Sequence, residues 1–179
     1  MDAADILRFW FDEIEPAQWW RADPAFGAQV RERFGEVLRA ATAGELHGWR
    51  ATPEGRLAEV IVLDQFSRNI HRGTPGAFAA DPMALGLAQE AVAGGHDQAL
   101  PVPRRAFLYM PYMHSESPRI HGVADELFRT RASKDSHQFE LRHKAIIDRF
   151  GRYPHRNQIL GRTSTPEELA FLVTPGSSF

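Results

Sequence analysis

The stretch Thr52-Pro53-Glu54-Gly55-Arg56-Leu57-Ala58-Glu59-Val60-Ile61-Val62-Leu63-Asp64-Gln65-Phe66 decides how the rest of the chain is read. Thr52 before Pro53 is a helix start. A hydroxyl can cap the first free amides, and proline at the first helical position has no N–H to waste and a φ already suited to a helix. From Leu57 to Phe66 the side chains are apolar nearly all round, which predicts the central, most buried helix.

The same start formula recurs at Asp23-Pro24, Asp81-Pro82, Ser117-Pro118 and Thr165-Pro166. In the last, Glu168 stands three residues after Thr165 and completes a capping box. Pro111 is expected to break or kink the helix that it interrupts. Apolar residues follow the helical period at Phe26, Val30, Phe34, Val37 and Leu38, at Ile120, Val123, Ala124, Leu127 and Phe128, and at Phe139, Ile146, Ile147 and Phe150. Gly44 and Gly151 follow two of these stripes, with Gly151 placed for a left-handed cap. Trp19-Trp20 is expected to pack against Trp10 and Phe11. No run of alternating β-branched residues ends in a hairpin signal. The connections near residues 44–52, 69–76 and 94–103 are too short for interdomain linkers. The sequence therefore predicts an all-α protein, residues 1–179 forming a single helical domain of stacked antiparallel helices.

Composition narrows the function. The 179 residues carry a formal net charge of −2, so no bulk attraction to nucleic acid or anionic membrane is expected. With no cysteine, disulfides, thiolate catalysis and thiolate metal sites are excluded. The N-terminus is acidic where a signal peptide is basic. The longest aliphatic run, Val60-Ile61-Val62-Leu63, is far short of the roughly 20 residues of a spanning helix. A soluble, cytoplasmic protein is the expectation, with no membrane and no nucleic-acid partner.

Three groups of residues carry possible chemistry. Asp64 shares a helical face with Leu57, Ile61 and Arg68, and a carboxylate on an apolar stripe requires a partner, for which Arg68 is in reach. The pair is either a structural tie or an acid/base centre. In Tyr109 to Ser117 (YMPYMHSES), His114 and Glu116 fall on a short connector between two helices. They are either hydrogen-bonded interior groups or a base with its orienting carboxylate; Met110 and Met113 read as core filler, and His143 as a satisfied core histidine. The third group is an echo: SRNIHRGTP at residues 67–75 and HRNQILGRTSTP at residues 155–166. Arg68, Arg72, Arg156 and Arg162 offer planar forks for carboxylate or phosphate. Asn69 and Asn157, with Gly73 and Gly161, suit helix-ending turns. The two strings are either repeated helix stops or two walls of one anion pocket. No dinucleotide fingerprint, Walker loop, nucleophile elbow or paired-histidine metal motif occurs, and no cofactor or metal site is read from the sequence.

The strings LRFWFDE, LDQFSRNIHRGTPGAFAADPMAL, FLYMPYMHSES and RFGRYPHRNQILGRTSTPEELAFL together resemble DUF924, a family of uncharacterised bacterial proteins. The resemblance spans nearly the whole chain and implies a helical fold similar to tetratricopeptide-repeat proteins, with no established activity. In the family, His-Ser-Glu leads through an acidic stretch to a glutamine. Here the chain reads Ser117-Pro118-Arg119-Ile120-His121, so a contact made by that glutamine passes to Arg119 or His121 or is lost. Two functions are carried forward. One is a binding module whose Arg68, Asn69, Arg72, Arg156, Asn157 and Arg162 take a small anionic molecule or an acidic peptide. The other is a small-molecule hydrolase using His114 and Glu116, with Asp64 as a further candidate and a divalent metal as an optional aid.

Overall fold

Four of the five cap–proline pairs open helices as their chemistry predicts in the computed structural model, which describes residues 1–178. Asp23 accepts hydrogen bonds from the amides of Ala25 and Phe26, Thr52 from that of Gly55, and Thr165 and Glu168 form the full capping box. Ser117 occupies the cap position without a side-chain bond. The fifth pair differs: Ala80 is the cap residue, and Asp81 lies inside the helix. Its carboxylate is thereby free for long-range partners.

In chain order, α1 (Ala3–Arg8) runs on into a π-helical turn, Phe9–Glu13, and a 3-10 turn, Pro16–Trp20. Next come α2 (Pro24–Thr42), a 3-10 turn at His47–Ala51, and α3 (Pro53–Ile61). A second π-helical turn, Val62–Phe66, joins α3 without a break to α4 (Ser67–Ile70). Then follow α5 (Asp81–Ala93), α6 (Val102–Met113), α7 (Pro118–Arg131), α8 (Lys134–Phe150), a 3-10 turn at Pro154–Arg156, and α9 (Pro166–Leu172). No strand occurs among the described residues. Consecutive helices α6, α7 and α8 pack on one another through short connections, which makes them antiparallel neighbours.

The α3–α4 unit is the centre, as its composition predicts. Every residue from Leu57 to Ser67 is buried, and α1, α2, α5 and α6 pack against the unit. Phe66 reaches an aromatic cluster: its ring lies 5.0 Å from Phe34 and 5.7 Å from Trp10, and Phe9 lies 4.6 Å from Phe34. Each such side chain removed from water contributes about 1.5–3 kcal/mol. Gly27 of α2 lets that helix approach the end of α4, since a Cβ there would lie 2.5 Å from the Asn69 carbonyl oxygen. Gly151 ends α8 with φ of 68°, the left-handed cap that its position predicts.

Three expectations need correction. Of the break or kink expected at Pro111, the break does not occur, and α6 continues to Met113. Residues 106–113 are all buried, and this packing outweighs the one backbone bond that proline removes. Trp19 packs on Trp10 and Phe11 as expected, but Trp20 is 64% exposed and stacks on Phe139. Phe139 and Val123 are also exposed, because each lies at the edge of its apolar stripe.

Candidate functional site

Asp64 is buried in the second π turn, so each of its oxygens needs a donor. Oδ1 receives His114 Nδ1–H at 2.7 Å and Arg68 Nη1 at 3.0 Å, and Oδ2 receives Gln65 Nε2 at 2.6 Å. This fixes the imidazole tautomer: Nδ1 carries the proton and Nε2 holds a lone pair. Nε2 has no hydrogen-bond partner among the described residues. Burial pushes the His114 pKa down, the Arg68 charge lowers it further, and Asp64 opposes both. Burial alone would raise the Asp64 pKa, yet Arg68 and His114 hold it well below the usual carboxylate range. The result is an ionised carboxylate aligning a neutral imidazole.

Arg68 extends the network. Its guanidinium grips Asp81 with both Nη atoms, at 2.7 and 2.9 Å. Arg156 meets the same carboxylate at 3.4 Å and donates to the His114 carbonyl at 2.9 Å. Its guanidinium lies 4.5 Å from the centre of the Phe78 ring and 4.8 Å from that of Tyr153, so two aromatic faces hold it. Arg156 Nε is buried without a partner among the described residues.

Of the residues singled out in the sequence, Asp64, Arg68, His114 and Arg156 thus form one cluster, joined by Asp81. Glu116 does not orient His114. It takes both Nη atoms of Arg162 at 2.6 and 2.9 Å and the Tyr153 amide at 2.7 Å, because the connector turns its side chain towards the second Arg-Asn string. Asp64, fifty residues from His114 in sequence, has the orienting role instead. Asn157 is buried and structural: it accepts from Arg162 Nε at 2.9 Å and donates to Ser164 and Glu168. Asn69 bonds back to the Gln65 carbonyl at 2.9 Å. Arg72 is exposed and, among the described residues, reaches only Asn69 Oδ1, at 3.4 Å, which leaves its fork open.

Sequence reasoning missed Asp81, Gln65 and Tyr153. Asp81 was hidden by its place before proline, where a local role looked sufficient. The adjacent Asp64-Gln65 pair in an apolar helix was the available signal for Gln65. His143 is the satisfied core histidine expected, buried and bonded through Nδ1 to the Phe139 carbonyl at 2.7 Å. Among the described residues, no three His, Asp or Glu side chains converge as a metal-binding group. A surface hollow of about 910 Å³ touches the first string at Ser67, Ile70 and His71, but none of the cluster's residues line it. No helix among the described residues is long and apolar enough to cross a membrane.

Fold and site together define a helical protein with a buried Asp–His pair held between two arginines. The chain belongs to the family described as bacterial protein of unknown function, DUF924, whose model matches residues 6–176. It is similar to a solved structure, a protein of unknown function, ATU0120, from Agrobacterium tumefaciens. The two share 40% identity, with 96% of each chain covered and a TM-score of 0.90. No curated protein matches the sequence. The all-helical architecture is therefore that of the family, and the family has no assigned activity.

Proposed function

We propose that the protein binds a small acidic molecule at the Asp64–His114 pair, with His114 Nε2 accepting a hydrogen bond from the ligand. The observation that carries this reading is the 2.7 Å contact from His114 Nδ1 to Asp64, which leaves a neutral Nε2 without a partner among the described residues. Buried ionic networks are expensive, and perturbed titrations of this kind concentrate at functional sites. The cluster offers limited anion capacity. Arg68 is taken by Asp81, and Arg162 by Glu116. The donors left for an anion are Arg72 and the edge of Arg156, which favours one carboxylate or phosphate group. A free small molecule and the acidic group of a peptide share that chemistry.

The Asp64–His114 geometry also favours a second reading, hydrolysis. Asp64 would keep the imidazole aligned while Nε2 takes a proton from water, and the water oxygen would attack the carbonyl carbon or phosphorus of the ligand. The departing group would then leave with that proton. Glu116 serves only to hold Arg162 in this scheme.

A thermal-shift panel of phosphate, small carboxylates, acidic peptides, nucleotides and divalent metals tests both. A ligand at 100 times its dissociation constant stabilises by about 2.7 kcal/mol, on the order of 5–11 °C for a chain of this size. The expected result is a shift with a small carboxylate or phosphate that His114→Ala abolishes and Arg72→Ala weakens. A shift that survives His114→Ala would sink the reading. Turnover of that ligand, absent in His114→Ala, would select hydrolysis over binding alone.

A further inference from the structure

We infer that Tyr153, and His121 with its partner Glu140, are positioning residues that set the pose of His114. The inference rests on the reading of His114 as the ligand-facing group. A helix end leaves its last carbonyls without intrahelical donors, and at the end of α6 three consecutive carbonyls are taken by side chains from elsewhere. The Tyr153 hydroxyl donates to the Met113 carbonyl, Arg156 to that of His114 at 2.9 Å, and His121 Nε2–H to that of Ser115 at 2.8 Å. The bracketed residue is His114. Tyr153 and His121 are fully buried, so the contacts come from the interior and hold the turn from behind.

The protons on His121 follow from its neighbours. Nε2 also lies 3.2 Å from the Tyr153 oxygen, whose own proton goes to Met113, so both oxygens facing Nε2 act as acceptors and Nε2 carries hydrogen. Nδ1 lies 2.7 Å from Glu140 Oε1, and two such atoms at that distance need a proton between them. Glu140, on α8, thereby fixes the rotation of a ring on α7 that holds the turn after α6. The other Glu140 oxygen is buried without a partner among the described residues. Water would satisfy the carbonyls of a simple helix stop without burying a carboxylate. His121 stands in the segment where the sequence departs from the family pattern, while Arg119 in the same segment is exposed.

The charged and titratable groups facing His114 are Asp64, Arg68 and Asp81, with His143 and His155 nearby. All are unchanged in the variants that test the inference. The titration of the His114 ring is followed by NMR, without ligand, in the wild type, Tyr153→Phe, Glu140→Gln and the core control Ile147→Val. Loosening the turn lets water reach the imidazole, so Tyr153→Phe and Glu140→Gln shift its titration upward by about half a pH unit or more. Ile147→Val lowers the melting temperature and leaves the titration in place. The inference is overturned if the two turn variants lose stability with the His114 titration unmoved, or if Ile147→Val moves it equally. No ligand is present in this experiment, so a blank ligand panel beside shifted titrations counts against the binding reading alone. A positive panel beside unmoved titrations counts against the positioning roles alone.

Discussion

The two Arg-Asn strings use the same residues for different work. In the first, Arg68 and Asn69 lie on a helix; Arg68 grips two carboxylates, and Asn69 bonds to its own helix and to nearby Arg72. In the second, Arg156 and Asn157 belong to a 3-10 turn and the residue after it. Arg156 holds a main-chain carbonyl, while Asn157 organises the loop ahead of α9. Gly73 and Gly161, by contrast, do the same thing in both strings, each turning the chain at positive φ, 77° and 66°. The echo is architectural in its glycines. In its arginines it converges on Asp81, with one string holding the carboxylate of the Asp64–His114 pair and the other holding the backbone of the histidine. A repeated residue type signals a shared neighbourhood here, not a shared role.

The sharpest way to break the comparison is to remove each arginine in turn. Arg68→Ala takes the guanidinium from the buried Asp64 carboxylate, and such a loss from a buried pair costs about 3–5 kcal/mol. Arg156→Ala removes one carbonyl contact and a long contact to Asp81, with a loss of about 2–3 kcal/mol. Denaturant unfolding of the two variants should rank them in that order; equal losses would mean that the strings are equivalent props.

Acid probes the buried histidines without mutation. Burial lowers the pKa of His143 to about 3 and that of His155, beside Arg156, to about 4. Folded-state values below the unfolded value near 6.5 mean that stability is fully present above about pH 6.5 and lost as pH falls towards 4 and below. Each group binds its proton more readily in the unfolded chain, so between pH 6.5 and 5.5 the pair accounts for a loss of about 2 kcal/mol. The depressed Asp64 keeps its contribution throughout that range and yields only at lower pH. Unfolding free energies across this window should fall steadily, and His155→Gln should flatten the slope.

The asparagines give the smallest contrast. Asn157→Ala, which breaks three side-chain contacts in a fully buried site, is expected to cost about 1–2 kcal/mol. Asn69→Ala, losing one bond to its own helix and a long one from Arg72, should cost about 0.5–1 kcal/mol. Thermal unfolding of the pair checks the order.

The helical class and the buried centre were legible because their causes are local. Thr52-Pro53, the run from Leu57 to Phe66 and Gly151 each act within a few residues. Asp64, Arg68, His114 and Arg156 were legible as candidates because charged or imidazole groups in apolar or proline-rich settings need a reason to be there. Their pairing was not legible. Glu116 stands two residues from His114 and looked like its partner, yet it meets Arg162 forty-six residues on, and Asp64 takes its place. Helix packing decides such matches, and local spacing does not encode it. The π turn at Val62–Phe66 escaped for a different reason: counting faces at 3.6 residues per turn presumes a regular helix.

That turn has a consequence for chain length. A π turn carries one residue more than a regular helix of the same rise needs. Deleting a single residue within it would restore regular winding and leave the two flanks facing nearly as before, whereas deleting one from the regular turns of α3 just ahead of it would rotate one flank against the other by about 100°. Leu57 to Ile61, wedged into the core on one side, and Arg68, gripping Asp81 on the other, cannot both keep their partners after such a rotation. The helix has one letter to spare at its π turn and none ahead of it.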